Sequence, residues 1–200
     1  GLSETCSTLS HLAHEKFDKR VFVADNQRIS VTQKQSVRDA VKMVAEGKSA
    51  EEICSRLVET RAQSSIYIMV DTLKYLKKGV RLTPAAAAIG TLLRIKPVLH
   101  VDLEGRLIPL KKVMTRRKSL NALVDYMQTK YDGWSDDVFI SHGDCQEEAE
   151  YVARLVTEKI GVPGEKILIN HLGPVIGSHS GPGTVALFFH GRNKREDKED

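Results

Sequence analysis

Val175-Ile176-Gly177-Ser178-His179-Ser180-Gly181-Pro182-Gly183 runs directly into Thr184-Val185-Ala186-Leu187-Phe188-Phe189. An apolar pair, a polar turn centred on His179, two glycines around a proline and then an apolar run predict a strand, a tight turn and a second strand. Gly181 and Gly183 can take positive φ or let another group approach the backbone, and Pro182 stiffens the turn. His179 and Ser180 are therefore expected in one fixed geometry, as a polar site requires. The competing reading is a hairpin with an incidental histidine, because Gly-Pro-Gly turns are common.

Around this stretch lies a chain of 200 residues with 41% apolar content, enough for one large domain or two small ones with a real core. The net charge of +4 is mild, and much of it sits in Lys111-Lys112 and Arg116-Arg117-Lys118. That is too local for a nucleic-acid coat and fits a patch for an acidic partner or a phosphate, or else a solvated face. Cys6, Cys54 and Cys145 are far apart, with no paired spacing for zinc or redox chemistry, which points to a reduced, cytoplasmic setting. No apolar run reaches the length of a membrane span, and the residues from Gly1 are not expected to follow a charged-then-apolar leader. Gly1-Leu2-Ser3-Glu4-Thr5 reads as a loop already entering a helix, as though the chain begins mid-protein.

In chain order, Ser3 is a candidate cap for a helix with the apolar stripe Leu9, Leu12, Ala13 and Phe17. Free amides there favour an anion, so a carboxylate or phosphate fits at Ser3 and Thr5 without a lysine; alternatively Ser3 only caps. Arg20 to Asp25 reads as a buried strand, Thr32 to Glu46 as a helix closed by Gly47, and Ser49-Ala50-Glu51-Glu52 as a capping box opening the next helix. Ser65 to Val70 reads as a second strand and Thr72 to Lys78 as a short helix. This alternation predicts a parallel α/β sheet with ligands near the carboxyl ends of its strands. Past Lys77-Lys78-Gly79 the pattern changes. An alanine-rich helix is expected from Pro84 to about Leu93, and a strand pair at Ile95–Val101 and Leu107–Val113. Then come a helix from about Arg117 to Lys130, a strand from Asp137 to Ser141, a helix capped by Asp144 and a strand from Lys166 to Asn170. The expected architecture is α/β: an incomplete parallel α/β domain over 1–79, an α+β domain with a mixed or antiparallel sheet over 80–191, and a charged tail over 192–200.

Four ordered motifs carry a resemblance. Gly1-Leu2-Ser3-Glu4-Thr5 is similar to the Gly-Leu-Ser-Gly-Thr helix entry of the DegV family of bacterial fatty-acid-binding proteins. Thr72-Leu73-Lys74-Tyr75-Leu76-Lys77-Lys78-Gly79-Val80-Arg81 resembles its Leu-x-Tyr-Leu-x-x-Gly-Gly-Arg element. Leu93 to Leu99 resembles its Ile-Lys-Pro strand, and His179-Ser180-Gly181-Pro182-Gly183 its His-x-Gly-Pro-Gly turn. The resemblance implies a two-domain fold enclosing a long-chain fatty acid. It also implies a role as the lipid-carrying, non-catalytic subunit of a fatty acid kinase, whose separate ATP-binding subunit phosphorylates the carboxylate to an acyl phosphate. By motif, Ser3, Thr5, His179 and Arg81 map to carboxylate binding. Arg116, Arg117 and Lys118 map to the face turned toward the kinase subunit. No metal or resident cofactor is implied, ATP entering only through the partner.

Physical reasoning supports the match. A carboxylate beside an apolar tunnel must be hydrogen-bonded, and a hydroxyl, a helix N-terminus and an imidazole supply those bonds. Taken singly, Arg81 also fits a surface ion pair, and Arg116 and Arg117 a solvated helix start. Glu4 stands where the family has a glycine, Val80 replaces the second glycine before Arg81, and Cys6 replaces an aromatic. The family's first strands and helices, with an early loop threonine, have no counterpart, so self-association or exposed apolar surface is expected. Two other classes remain open to the sequence. A hydrolase would use His179 and Ser180, but there is no Gly-x-Ser-x-Gly elbow, and Asp25, Asp71 and Asp144 have no spacing that demands catalysis or a metal. An interaction module without lipid would use Lys111 to Lys118.

Overall fold

The computed structural model describes residues 5–17, 20–79, 95–133 and 137–192. They form two compact units, 1–62 and 63–200. The first unit holds α1 (Thr5–Phe17), α2 (Val31–Ala45) and α3 (Ala50–Glu59), followed by a 3-10 turn at Thr60–Gln63. Ser49 opens α3 with both halves of a capping box: Glu52 N donates to Ser49 Oγ, and Ser49 N donates to Glu52 Oε2.

Between α1 and α2 the expected strand at Arg20–Asp25 does not form. A strand needs a ladder partner, and the chain here is held instead by side chains. The Arg28 guanidinium, its side chain fully buried, donates from Nη1 to Ser36 Oγ at 2.9 Å and from Nη2 to Thr60 Oγ1 at 3.3 Å. It also pairs with Asp39 at 3.5 Å. Asn26 Nδ2 donates to Ser36 Oγ and Gln33 Oε1. This buried polar knot ties the segment to α2 and to the end of α3. Burial there works against the charge of Arg28 and pulls its pKa below the usual guanidinium value, with Asp39 opposing.

The second unit is a six-stranded mixed sheet in the order β3-β2-β1-β6-β4-β5. Its strands are β1 (Ser64–Met69), β2 (Val98–Val101), β3 (Leu107–Lys111), β4 (Val138–His142), β5 (Ile167–His171) and β6 (Val185–His190). The parallel first-domain sheet expected from the early alternation is not what β1 joins: it runs antiparallel to both β2 and β6. Only β4 and β5 are parallel, as a strand-helix-strand unit requires, and β4 pairs antiparallel with β6. The sheet therefore crosses the boundary expected at 79/80, with β1 before it and its partners after. Helices α4 (Lys74–Lys78), α5 (Arg116–Lys130), α6 (Gln146–Ile160) and α7 (Pro174–Ser180) complete the unit.

Alternation along the strands sends Tyr67, Met69, Val138, Ile140, Val185, Leu187 and Phe189 into one core with Leu120, Leu123, Val124 and Met127 of α5 and Val152 and Val156 of α6. The opposite-facing Ile66, Phe139 and Phe188 are buried too, which is why β6 reads as a continuous apolar run rather than an alternating one. Pro109 sits in β3, an edge strand where a missing N–H is tolerated. The alanine-rich helix expected at 84–93 and most of the charged tail lie outside the described residues. Among the described residues no helix is long and apolar enough to cross a membrane.

Candidate functional site

The first half of the stretch expected as strand, turn, strand is a helix. Gly173 precedes it, Pro174 occupies its first turn, and Ser180 Oγ donates back to Ile176 O at 3.0 Å. Proline at a first helical position is pre-organised for a helix, and that local signal prevails over the apolar pair Val175-Ile176. The chain then reverses through Gly181 (φ 82°) and Gly183 (φ 75°) into β6.

This turn lies where the carboxyl ends of β1 and β4 flank the start of β6, with Val185 in register with both Met69 and His142. The loops that follow those strands close around it. Gly183 N donates to Gly143 O at 2.6 Å, Gly143 N donates to Thr184 O at 2.8 Å, and Thr184 Oγ1 donates to Gly181 O at 2.8 Å. A Cβ at Gly143 would lie 2.8 Å from Gly181 O, and one at Gly183 would lie 3.0 Å from Arg116 Nη1 and 3.2 Å from Asp71 Cβ. Cys145, not Asp144, is the N-cap of α6; Asp144 takes φ 60° in the turn before it.

Beneath the turn sits a charged network. Asp71 Oδ1 accepts from Lys96 Nζ at 2.7 Å and from Arg116 Nη1 at 3.2 Å, Lys96 Nζ also reaches Asp71 O at 3.0 Å, and Arg116 Nε donates to Glu148 Oε1 at 2.8 Å. The bond from Lys96, aided by the charges of Lys96 and Arg116 and opposed by burial, holds Asp71 below the usual carboxylate pKa. Burial opposes the charge of Arg116, but the bond to Glu148 and that carboxylate's charge outweigh it and push the guanidinium pKa up. Burial raises the Cys145 thiol, so it is not an activated thiolate.

His179 is half-buried near the end of α7 with its ring against Gly79, and its side chain makes no hydrogen bond among the described residues. Ser180 is buried and donates to the helix carbonyl rather than pairing with His179, so the nucleophile-and-base geometry a hydrolase needs is not present at this pair. Arg116 is turned inward onto Asp71 and Glu148. Arg117 is exposed and stacks on Tyr151, 3.3 Å from the ring centroid, and Lys118 is exposed beside it. Thr5 is exposed at the first turn of α1 in the first unit. Ser3 and Arg81 lie outside the described residues. Sequence reasoning did not single out Asp71 and Lys96 as a pair or Tyr75 and Gly79 as neighbours of the turn. The one available signal was that Tyr75, Gly79 and Lys96 all fall inside quoted motifs.

Against known proteins, the sequence profile of the family described as "Uncharacterised protein, DegV family" matches residues 1–192. A DegV domain-containing protein of Clostridium perfringens is 40% identical over 182 residues, 90% of this chain and 62% of the relative. The chain thus spans less than two thirds of that relative's length. The crystal structure of a fatty acid binding DegV family protein from Streptococcus agalactiae superimposes with a TM-score of 0.85 at 31% identity, covering 96% of this chain and 67% of that one. The Streptococcus pneumoniae fatty acid kinase B3 protein, loaded with linoleic acid, matches in fold at a TM-score of 0.81 and 17% identity, over 96% of this chain and 68% of that one.

Proposed function

Because this chain belongs to the DegV family, we propose that it binds a long-chain fatty acid and presents the carboxylate to a separate ATP-binding kinase subunit for phosphorylation. The observation that carries the reading is the half-buried imidazole of His179, unbonded among the described residues and set at the end of α7, just before a turn that packs on Gly143, Tyr75 and Asp71. An apolar-tailed anion needs such a donor, since a carboxylate leaving water without a partner is costly. Ser3, Thr5 and Arg81 are the other proposed carboxylate ligands. In the transfer step a carboxylate oxygen forms a bond to the γ-phosphorus as the bond to the ADP oxygen breaks, and ADP leaves. This chain acts as lipid carrier and supplies no catalytic group of its own; the nucleotide arrives with the partner.

Arg116 is already engaged by Asp71 and Glu148, so of the three cations proposed to face that partner Arg117 and Lys118 are the exposed ones, and the proposal assigns the contact to them. The test is mass spectrometry of the purified chain under native and denaturing conditions. Co-purified or added oleate at one per chain, lost in His179→Ala, is the expected result. A chain that takes up no oleate or palmitate overturns the reading, and the native mass counts subunits, reporting whether the chain self-associates.

A further inference from the structure

Gly79 is a glycine for a reason that its own backbone does not supply. It follows α4 at φ −78°, ψ 1°, a conformation open to any L-residue. Space is what forbids a side chain there: a Cβ would collide with His179 Nδ1 and lie 3.1 Å from Cε1. The Nδ1 edge of the imidazole is thus closed against the backbone at the end of α4. Four residues earlier on the same helix, Tyr75 lays its ring on Gly181, where a Cβ would collide with Cδ2 and lie 2.6 Å from Cε2. Tyr75 on α4 and Gly79 at its C-cap, one turn apart, therefore grip the first glycine of the turn and the His179 ring that precedes it.

We propose that Gly79 and Tyr75 are positioning residues that fix the His179 ring, so that Nε2 rather than Nδ1 is the nitrogen presented to the ligand carboxylate. This rests on the carboxylate-binding reading of His179 and deepens it. A ring held on one edge by a helix end and through its turn by an aromatic ring keeps a single donor direction, which a short charge-assisted hydrogen bond requires.

The test is a cycle of Gly79→Ala, His179→Ala and the double variant in the 200-residue chain. Without lipid, Gly79→Ala lowers Tm when the imidazole is present and leaves it unchanged once His179→Ala has removed the colliding ring. In long-range nitrogen spectra, Gly79→Ala shifts the His179 ring resonances while the other histidines keep theirs. Oleate Kd rises about tenfold in Gly79→Ala, the loss of one charge-assisted bond, with no further rise when it is added to His179→Ala. Tyr75→Phe, which keeps the ring, matches the parent chain, and Tyr75→Ala behaves as Gly79→Ala does. Should Gly79→Ala not fold, the two Tyr75 variants carry the same spectral and binding comparison. Equal Tm losses in both backgrounds, or an unaltered His179 spectrum, overturn the proposal. If His179→Ala binds oleate as the parent does, the carboxylate reading fails, while the Tm cycle and ring spectrum still decide whether Gly79 orients the ring.

Discussion

The two units bury their apolar residues very differently. In the second, Leu123, Met127, Val152, Val156, Ile140 and Leu187 are all fully enclosed. In the first, the described buried apolar side chains are Ala13, Leu57 and Ala62, and the interior is largely the polar knot of Asn26, Arg28, Thr32, Ser36 and Thr60. Eight of the eleven exposed large hydrophobics among the described residues fall there: Leu9, Leu12, Phe17, Val21, Phe22, Val37, Val41 and Val44. Both units carry apolar residues at helical spacing, yet among the described residues these form a core only in the second. Periodicity specifies an apolar face, and only a packing partner turns that face into stability.

The contrast is most sharply tested by paired truncations. Leu123→Ala, at a fully buried position, is expected to cost about 3–5 kcal/mol in denaturant unfolding. A loss well below that means the α5 layer is less tightly packed than described. An intermediate effect is expected at Asp71→Asn, which removes the shared partner of Lys96 and Arg116. Because the folded-state pKa of Asp71 is lowered, its contribution is fully present above the ordinary carboxylate pKa of about 4 and is lost as pH falls through the lowered value. Tm measured from neutral pH downward should therefore show a flatter acid limb in Asp71→Asn than in the parent, with the two curves converging at the acid end. Curves that stay parallel rule out this linkage. The smallest effect belongs to Val41→Ala, 63% exposed on α2, which should change stability by no more than about 0.5 kcal/mol. A loss comparable to that of Leu123→Ala means that another surface covers that face in solution.

Much of this architecture was legible in the residues. The Ser49–Glu52 box, the α5 and α6 helices and the β2–β3 pair were readable because their signals are local and their partners lie close in sequence. Two of the misreadings have one cause. Arg20 to Asp25 has the composition of a strand, but it finds no ladder partner among the described residues, and Arg28 and Asn26 bind the segment to helices instead. Val175-Ile176 also looks like a strand, but Gly173 and Pro174 start a helix through it. Both were settled by what the backbone meets rather than by what the side chains prefer. The His179 turn was readable as a site, whereas its supports were not. Asp71, Lys96, Arg116 and Glu148 are separated by up to 77 residues and meet only because the loops after β1 and β4 converge beside the start of β6.

The most direct test of the central claim is carbon NMR of oleate labelled at its carboxyl carbon, added to the parent chain and to His179→Ala. A bound carboxyl resonance distinct from free oleate in the parent, and shifted or lost in His179→Ala, is the predicted result. An identical bound resonance in both chains, or none in the parent, would contradict it.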